Sequence, residues 1–522
     1  MRAWLWVFVA VGLGLAVRGL RPPAPLGADA PEPDFSAARA FPHVGFLATA
    51  PRVAGTDHHT ASRDYLSRQL LALGWSPEVQ EATVFGQPIV NLLARREGSG
   101  AEPGAVLLCA HYDSVAAGAG AGDDAMGCAV LLEIARALAA GPAPARDLIL
   151  LFTDGEEIAL LGARAFLGVN QVGPPHPWAR EVALALNFEA RGSGGPAWMF
   201  QTGPGNLDLV RALARAPRPA ASSLAKAVYD RMPNDTDLTI FLREGIPGMN
   251  WACVDRFASY HTALDLPERL DPGTLQHMGD QSLTIARWAL DQPGSFDAGA
   301  DAAYFTVFGD VFVHHPLAWS RALALLPAAA FLTWVRRRRR RPGAVLLGLL
   351  PAAAALLAAA AVVLAAQFIA PSAFTYDASH ASDAHLRAIG LGAAAAAALS
   401  ALLIAHFARR RFPRADGDAA ALFLAALGAV VLAFALPEGA FLLLVPATAI
   451  PLALLVRGAG APAWLARGAA IVTVASLAGV WIYSLVLALA LPAVLAPALL
   501  AAFTALLLRP LWEVAPPAAP IR

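Results

Sequence analysis

The C-terminal part of the chain carries the feature that most limits how the chain can fold. After about Asp310, charged residues become rare and Ala, Leu and Val fill successive runs. Each run has roughly the length of about 20 residues that an α-helix needs to cross the hydrocarbon core of a bilayer. The whole chain is 57% hydrophobic and only 15% charged, which is unusual for a soluble protein. A soluble domain followed by a membrane domain is therefore the simplest interpretation.

We predict one apolar span near the N-terminus and about seven in the C-terminal part. The N-terminal run, residues 3–17, has no small-residue cleavage site directly after it, so residues 1–21 are interpreted as an uncleaved signal anchor. A more distant Ala28-x-Ala30 motif leaves a cleaved signal peptide as the alternative. The C-terminal spans are predicted at 316–335, 343–369, 386–407, 419–436, 440–456, 468–489 and 492–508.

Arginine-rich loops between the spans predict their orientation. Residues 336–341 are all arginine, and Arg409, Arg410, Arg411 and Arg414 follow a later span, whereas the alternate loops contain no Lys or Arg. Positive residues stay on the cytoplasmic side, so we expect both termini in the cytoplasm and the soluble part outside it. Lys226 is the only lysine among many Ala and Arg residues. This composition is typical of a GC-rich genome, which favours a bacterial origin and hence the inner (cell) membrane.

The net charge argues against a nucleic-acid-binding function, and the cysteines carry little information about function. The formal net charge is zero, whereas a nucleic-acid-binding protein usually presents a basic face, so no nucleic-acid partner is expected. The lipid bilayer is the partner that the apolar spans imply. Cys109, Cys128 and Cys253 form no CxxC motif, and we interpret them as small buried residues rather than as a disulfide or a structural metal site.

Short apolar runs alternate with helical periodicity in the soluble part. Strands are predicted at 105–110, 147–153 and 182–188, and helices at 60–73, 126–139 and 272–290. This alternation predicts an α/β domain with a mixed, mainly parallel sheet flanked by helices. Functional residues of such sheets gather at the carboxyl ends of the strands.

Polar residues follow each predicted strand. HYDS (111–114) follows the first strand and leads to GDDAMG (122–127), DGEE (154–157) follows the second, Glu189 follows the third, and YHTALD (260–265) comes later. A hydrolytic zinc site needs His nitrogen and carboxylate oxygen ligands with one position open for water. Two metal ions need a carboxylate that can offer one oxygen to each, and a further carboxylate must take the proton of the water. The sequence therefore predicts a metal-dependent hydrolase at this rim.

At these motifs the chain resembles the M28 family of zinc exopeptidases, over about residues 41–290. The resemblance implies the zinc-exopeptidase fold for residues 22–300, with residues 301–522 as the multi-span transmembrane domain. It also implies two Zn²⁺ ions and peptide substrates. The metal ligands that it implies are His111, Asp123, Glu157, Glu189 and His261, with Asp123 bridging the two ions.

The same resemblance implies roles for three further residues. Glu156 would be the general base, Asp113 the carboxylate that orients His111, and Tyr260 a stabiliser of the tetrahedral oxyanion. It also implies a cis peptide bond between Asp123 and Asp124.

Two features depart from the soluble members of the family. Glu189 stands where most soluble members have aspartate, so metal spacing or affinity is expected to differ. The segments NFEA (187–190) and NDTD (234–237) are more similar to the multi-span membrane branch, which includes vacuolar and endoplasmic-reticulum membrane metallopeptidases. The C-terminal spans fit that branch.

The function that we predict is a membrane-anchored dizinc aminopeptidase. The chain has no HExxH, GxSxG or GxxxxGK motif, which argues against the rival hydrolase and nucleotide-dependent classes. Two alternatives stay open on the same fold: a non-catalytic receptor or chaperone ectodomain, and a zinc enzyme of the carboxypeptidase or glutaminyl-cyclase type.

Overall fold

A computed structural model of the chain describes residues 3–139, 141–170, 172–232, 234–374, 383–458, 460–489 and 493–512. The chain forms two compact units. One comprises Arg21–Thr306 and Phe312–His315, and the other comprises Met1–Leu20, Val307–Val311 and Pro316–Arg522. We refer to them as the sheet unit and the helical unit.

The sheet unit is built on seven strands. They are β1 (Pro77–Val84), β2 (Gln87–Arg96), β3 (Ala105–His111), β4 (Asp147–Thr153), β5 (Val182–Ala190), β6 (Trp198–Thr202) and β7 (Gly248–Cys253). Their order in the sheet is β1-β2-β4-β3-β5-β7-β6. β4, β3, β5 and β7 form a parallel centre, and the hairpin β1–β2 at one edge and β6 at the other pair antiparallel. Strands β8 (Ala302–Val307) and β9 (Val311–Pro316) form a separate two-stranded sheet.

Helices cover both faces of the sheet. They are α2 (Ala37–Leu47), α3 (Asp57–Ala72), α4 (Met126–Ala139), α5 (Glu156–Ala159), α6 (Leu161–Leu167), α7 (Leu207–Leu213), α8 (Ser223–Tyr229), α9 (Asp237–Arg243) and α10 (Pro272–Asp291). Every residue of β3 is buried, because a central parallel strand has both faces covered. Val106 and Leu108 lie in the apolar core with α4 and α10, and Leu107 and Cys109 lie in the core with α6 and α9.

The predicted α/β class and most predicted elements of this unit are confirmed. The strand 147–153 and the helix 126–139 have the predicted bounds, and the other four differ by up to three residues at an end. Asp271 caps α10 by accepting from the backbone N of Gly273 at 2.8 Å, with Pro272 at the first helical position. The three cysteines are free and buried, as expected.

The helical unit contains ten helices among the described residues. They are α1 (Ala3–Gly19), α11 (Trp319–Leu323), α12 (Leu325–Arg337), α13 (Pro342–Ile369), α14 (Pro371–Phe374), α15 (Asp383–Arg411), α16 (Gly417–Ala435), α17 (Phe441–Leu455), α18 (Ala461–Leu489) and α19 (Leu495–Leu508). In the described ranges, five helices are long and apolar enough to cross a membrane: α13, α15, α16, α18 and the segment Leu495–Trp512. α1 and α17 are shorter apolar helices.

The predicted span 316–335 differs from the structure. It is divided between α11 and α12, because Pro327 in the first turn of α12 has no N–H to continue the hydrogen-bond ladder from α11.

Close helix packing joins the N-terminal helix to the C-terminal helices of the same unit. A Cβ on Gly12 of α1 would lie 2.8 Å from the Cβ of Ala475 on α18, and a Cβ on Gly468 would lie 2.5 Å from the Phe8 ring. Small residues at such positions let two helices approach closely. The N-terminal helix is therefore an integral part of the helical unit.

Candidate metal centre

The carboxyl ends of the central parallel strands bring the predicted site residues together. His111 is the last residue of β3 and pairs in register with Thr153, the last residue of β4. Glu189 is the next-to-last residue of β5, the neighbour of β3 on its other side. Because parallel strands end at one edge of the sheet, the loops after β3, β4 and β5 surround the same space.

Two groups of potential metal ligands share Asp123. His111, Asp123 and Glu189 form one group, and Asp123, Glu157 and His261 form the other; in each, the ligand atoms lie within 4.8 Å of one another. Oδ1 of Asp123 is 3.0 Å from Nε2 of His111, and Oδ2 is 3.1 Å from Nε2 of His261. Each oxygen of one carboxylate therefore belongs to a different group, as bridging two cations requires.

Neighbouring residues hold the Asp123 backbone in place. The segment before α4, Ala121–Ala125, contains the predicted cis peptide bond between Asp123 and Asp124, which is confirmed. The buried carboxylate of Asp265 accepts from the backbone N of Gly122 at 2.8 Å and from that of Asp123 at 3.1 Å. Asp265 thus ties the loop that carries His261 to the segment that carries the shared carboxylate.

Asp113 connects the loop after β3 to the loop after β4. Its two carboxylate oxygens accept from the backbone N of Glu156 and from that of Glu157, both at 3.2 Å. Its Oδ1 also lies 3.5 Å from Nδ1 of His111. Asp113 can therefore orient His111 and at the same time fix the start of α5, where both glutamates lie.

The His261 side is the more open side of the centre. The His261 side chain is 38% exposed, whereas that of Asp123 is 8% exposed. The Tyr260 ring stacks on the His261 ring with the centroids 3.9 Å apart, and on the Phe257 ring at 6.0 Å. The centre is therefore open to solvent on this side, beside Tyr260.

A buried amide network supports Glu189. Nδ2 of Asn187 donates to Oε1 of Glu189 at 3.2 Å and to Oδ1 of Asn250 at 3.2 Å. Oε2 of Glu189 faces Nε2 of His111 at 3.8 Å. The network thus holds Oε1 of Glu189 and leaves Oε2 directed at His111, in the group of potential ligands formed by His111, Asp123 and Glu189.

The three glutamates of the centre all have raised pKa values. Burial, followed by the charge of Glu189, raises the pKa of Glu156 well above its ordinary value. Burial and the charge of Asp123 raise the pKa of Glu157. Burial raises the pKa of Glu189 well above its ordinary value, and the nearby His111 opposes this only in part. Burial and the negative charge of the neighbouring carboxylates both disfavour the ionised form of each glutamate.

The pKa of Asp123 is lowered, whereas the pKa values of His111 and His261 are raised. Burial acts to raise the pKa of Asp123, but hydrogen bonds with His111 and His261 outweigh it and hold the pKa well below the usual range. Burial also opposes the charged form of His261, yet Asp123 and Glu157 raise its pKa to about 10. The centre therefore favours positive charge beside Asp123.

The side chains present fit a pair of divalent cations. The set combines two imidazoles with three carboxylates, which are donors that zinc accepts. Within the described part of the chain, Oε1 of Glu157 is buried without a hydrogen-bond partner, although a buried carboxylate oxygen normally has one. A cation between Glu157, Asp123 and His261 would satisfy that oxygen and offset the charge of the clustered acids.

The sequence did not identify two residues that support the centre. Arg52 is fully buried and donates through its guanidinium to four backbone carbonyls, including those of Tyr112 at 2.7 Å and Gly120 at 2.9 Å. His59 pairs through Nε2 with Oδ1 of Asp154 at 2.8 Å and stacks on Tyr112, so it supports the loop after β4. Every residue has a backbone carbonyl, so the acceptors of Arg52 cannot be recognised in the sequence. Only the presence of a charged residue in an otherwise apolar segment could have indicated the role of Arg52.

Comparisons with known proteins agree with these features. Residues 91–286 match the family model described as "Peptidase family M28". The chain is 34% identical over 244 residues to endoplasmic reticulum metallopeptidase 1 of Rattus norvegicus, covering 45% of this chain and 26% of the relative. It is 33% identical over 230 residues to the vacuolar membrane protease of Candida dubliniensis, covering 44% of this chain and 24% of the relative.

Each of these alignments spans about a quarter of the relative's length. Among solved structures, the aminopeptidase from Aneurinibacillus sp. strain AM-1 is 15% identical, with a TM-score of 0.41 and coverage of 50% of this chain and 95% of that chain. Residues 91–286 of the sheet unit thus match peptidase family M28, and the sequence of this unit is similar to membrane proteins with such a domain.

Proposed function

We propose that the chain is a membrane-anchored dizinc peptidase that removes residues from the amino termini of peptides. One observation carries the proposal: the two oxygens of Asp123 lie 3.0 and 3.1 Å from the Nε2 atoms of two different histidines. Glu189 and Glu157 each complete one of the two groups. The family match of residues 91–286 supports a zinc-dependent peptidase.

The residues would divide the chemistry as follows. Two Zn²⁺ ions bound by these ligands would polarise the scissile carbonyl and lower the pKa of water. Glu156 takes the proton of the attacking water and returns it to the leaving amine; its raised pKa suits both roles. The Tyr260 hydroxyl donates to the developing oxyanion. Asp113 holds the His111 ring and the backbone of Glu156 in position relative to each other.

The helices of the helical unit support a location of the chain in a membrane. Its apolar helices and the membrane proteins among the relatives make the chain an integral membrane protein. We assign the arginine-rich loops to the cytoplasm, which places both termini inside and residues 22–300 outside, in a bacterial inner membrane. The tight packing of α1 on α18 supports an N-terminal helix that is kept as an anchor.

The test of this proposal is a Glu156→Gln variant of the full chain. With amino-terminal fluorogenic peptides as substrate, turnover should fall by about 10²- to 10⁴-fold because the proton acceptor is lost. Zinc content should stay at two ions per chain, because Glu156 is not among the proposed ligands. Glu268→Gln, an exposed glutamate in the same unit, is the matched control and should behave as the wild type.

Each contrary result has a distinct meaning. A fully active Glu156→Gln variant would exclude the assigned base. Wild-type protein without bound zinc would favour the receptor or chaperone alternative. Cleavage or cyclisation that does not require a free amino terminus would favour the carboxypeptidase or glutaminyl-cyclase type.

A further inference from the structure

One arginine of the helical unit is buried without a counter-charge. Arg467 is the seventh residue of α18 and is only 3% exposed. Its Nε is buried and has no hydrogen-bond partner in the described ranges. The carboxylates of Asp416 and Asp418 pair with Arg340 and Arg509 instead. Because a buried charge normally needs a partner, we expect an anion that is not part of the described chain.

Arg467 lies near the end of the unit where α12 and α17 finish and α18 begins. α17 packs against both α12 and α18, and Trp334, Leu454 and Ala470 of these three helices share one apolar core. A rise of about 1.5 Å per residue places Arg467 about 9 Å from the first residue of α18. Since side chains lean toward the N-terminus of their helix, its guanidinium is directed back toward that end.

Two further arginines at this end donate to neutral acceptors. Nε of Arg338 donates to the backbone oxygen of Leu454, near the end of α17, at 3.2 Å. Nη2 of Arg457 donates to the backbone oxygen of Arg337, at the end of α12, at 2.7 Å. Each of the two arginines thus caps a helix. Because a carbonyl carries no net charge, both arginines keep their positive charge.

These side chains form a group that we call the arginine cluster: Arg338, Arg457 and Arg467. Burial, followed by the positive charges of Arg457, Arg467 and Arg340, lowers the pKa of Arg338. Arg340 has its own carboxylate in Asp416, 2.9 Å away. The first turn of α18 contains no acidic residue, and the N-terminus of a helix adds positive potential. The arginine cluster therefore carries a net positive charge that an external anion would neutralise.

Apolar side chains lie exposed on the same helices. Leu452 of α17 is 49% exposed and Leu465 of α18 is 65% exposed. Exposed apolar side chains of this kind mark contact with a membrane. A ligand at the arginine cluster would therefore meet guanidinium groups and, beside them, side chains that favour hydrocarbon. An amphipathic anion satisfies both.

We propose that the arginine cluster binds the phosphate headgroup of an anionic phospholipid, with Arg467 donating to a phosphate oxygen. Guanidinium groups match phosphate geometry, while Arg338 and Arg457 add positive charge beside it. Basic pockets between helices bind anionic headgroups on the cytoplasmic side of membranes, which is the side that we assign to the arginine-rich loops. A free phosphate ion would gain the charge contact but no contact of acyl chains with Leu452 and Leu465.

The first test measures lipid retention by the full chain in a neutral detergent. Native mass spectrometry counts bound dioleoyl phosphatidylglycerol and dioleoyl phosphatidylcholine after incubation with an equimolar mixture, and the wild type should retain the anionic lipid preferentially. Arg467→Met should reduce this retention about tenfold, the effect of losing a charged hydrogen bond. Arg457→Met should reduce it about fivefold, the effect of one nearby charge. Arg414→Met, which changes an exposed arginine of another loop, is the matched control and should retain lipid as the wild type does.

Thermal unfolding of the same variants separates lipid binding from a structural role of Arg467. Replacing an unpaired buried charge by an apolar side chain of similar length should not destabilise the protein. Without lipid, Arg467→Met should therefore unfold at the same temperature as Arg414→Met or above it. Added phosphatidylglycerol should raise the unfolding temperature of the wild type and of Arg414→Met, but not that of Arg467→Met.

Four outcomes would overturn the proposal. The first is equal retention of the two lipids by the wild type, and the second is undiminished retention of phosphatidylglycerol by Arg467→Met. The third is a lower unfolding temperature of lipid-free Arg467→Met than of Arg414→Met, which would show that Arg467 has a partner within the protein. The fourth is displacement of the bound lipid by excess inorganic phosphate, which would identify a free-phosphate site instead.

Discussion

Replacing Arg52 with methionine tests whether one buried cation holds the two halves of the metal centre together. The guanidinium donates to the carbonyls of Leu47 at 3.1 Å, Tyr112 at 2.7 Å, Ala119 at 2.5 Å and Gly120 at 2.9 Å. Methionine fills a similar volume but offers no donor. All four carbonyls would then lose this buried partner.

The expected loss of stability follows from these bonds. Four bonds from a charged donor contribute about 6–12 kcal/mol before the cost of burying the charge. That cost is several kcal/mol for a desolvated ion, and it is visible as a lowered pKa of Arg52. A net loss of about 3–5 kcal/mol remains, which corresponds to a fall of roughly 6–15 °C in unfolding temperature for a domain of this size.

The same change should weaken metal binding. Arg52 binds the carbonyls of Tyr112 and Gly120. Tyr112 lies between His111 and Asp113, and Gly120 lies three residues before Asp123, so both carbonyls are close in sequence to proposed metal ligands. Residues that orient metal ligands typically change metal affinity by about 10- to 100-fold. Arg52→Lys keeps the charge, but all its N–H donors are on one nitrogen atom. Its unfolding temperature and zinc affinity should therefore lie between those of Arg52→Met and those of the wild type.

The assay combines thermal unfolding of the full chain in detergent with a zinc titration against a competing chelator. Arg215→Met changes an exposed arginine of the same unit and serves as the control. If Arg52→Met unfolds within about 2 °C of the control and binds zinc equally well, Arg52 does not hold the centre together.

Two further predictions concern orientation and pH. In intact cells, a membrane-impermeant thiol reagent should label a Ser295→Cys variant but should label Arg410→Cys only after permeabilisation; both sites are exposed and the native cysteines are buried. The opposite pattern would exclude the proposed orientation. His277 is buried, and burial lowers its pKa to about 4, with Nδ1 accepting from the backbone N of Ala197 and Nε2 facing the carbonyl of Arg218. Between about pH 6.5 and pH 4 the unfolded chain binds more protons at His277 than the folded chain does. The free energy of unfolding should therefore fall as the pH falls, by about 1 kcal/mol at about pH 5.5 and by about 3 kcal/mol in total. His277→Gln should remove this part of the pH dependence, and an unchanged difference in unfolding temperature between about pH 7.5 and pH 5.5 would contradict it.

The sequence predicts the centre of the sheet well because burial there leaves a strong pattern. β3, β4 and β5 are continuous apolar runs, and a polar residue directly after such a run has few structural reasons to be there. This is why His111 and Glu189 could be assigned to a shared rim. The structure brings them together with Asp123, as that interpretation requires.

The edges of the sheet are less predictable. β1 has the sequence PEVQEATV and only one buried residue, since an edge strand buries little and pairs through its backbone. Its hairpin turn uses positive φ at Phe85 and Gly86, and phenylalanine is not a usual residue for that conformation. Neither composition nor periodicity identifies such a strand.

Long-range hydrogen bonds join the two separate segments, NFEA (187–190) and NDTD (234–237), that resemble the membrane branch of the family. NFEA and NDTD lie more than forty residues apart, yet they meet through Asn250: its Oδ1 accepts from Asn187, and its Nδ2 donates to Oγ1 of Thr236 at 2.8 Å. Asn187 in turn holds Oε1 of Glu189. A shorter aspartate at position 189 would withdraw its carboxylate from Asn187 and leave a buried amide with one partner fewer. The glutamate, the asparagine and the threonine therefore act as one unit, so the extra methylene of Glu189 has to be understood together with the polar chain that supports it.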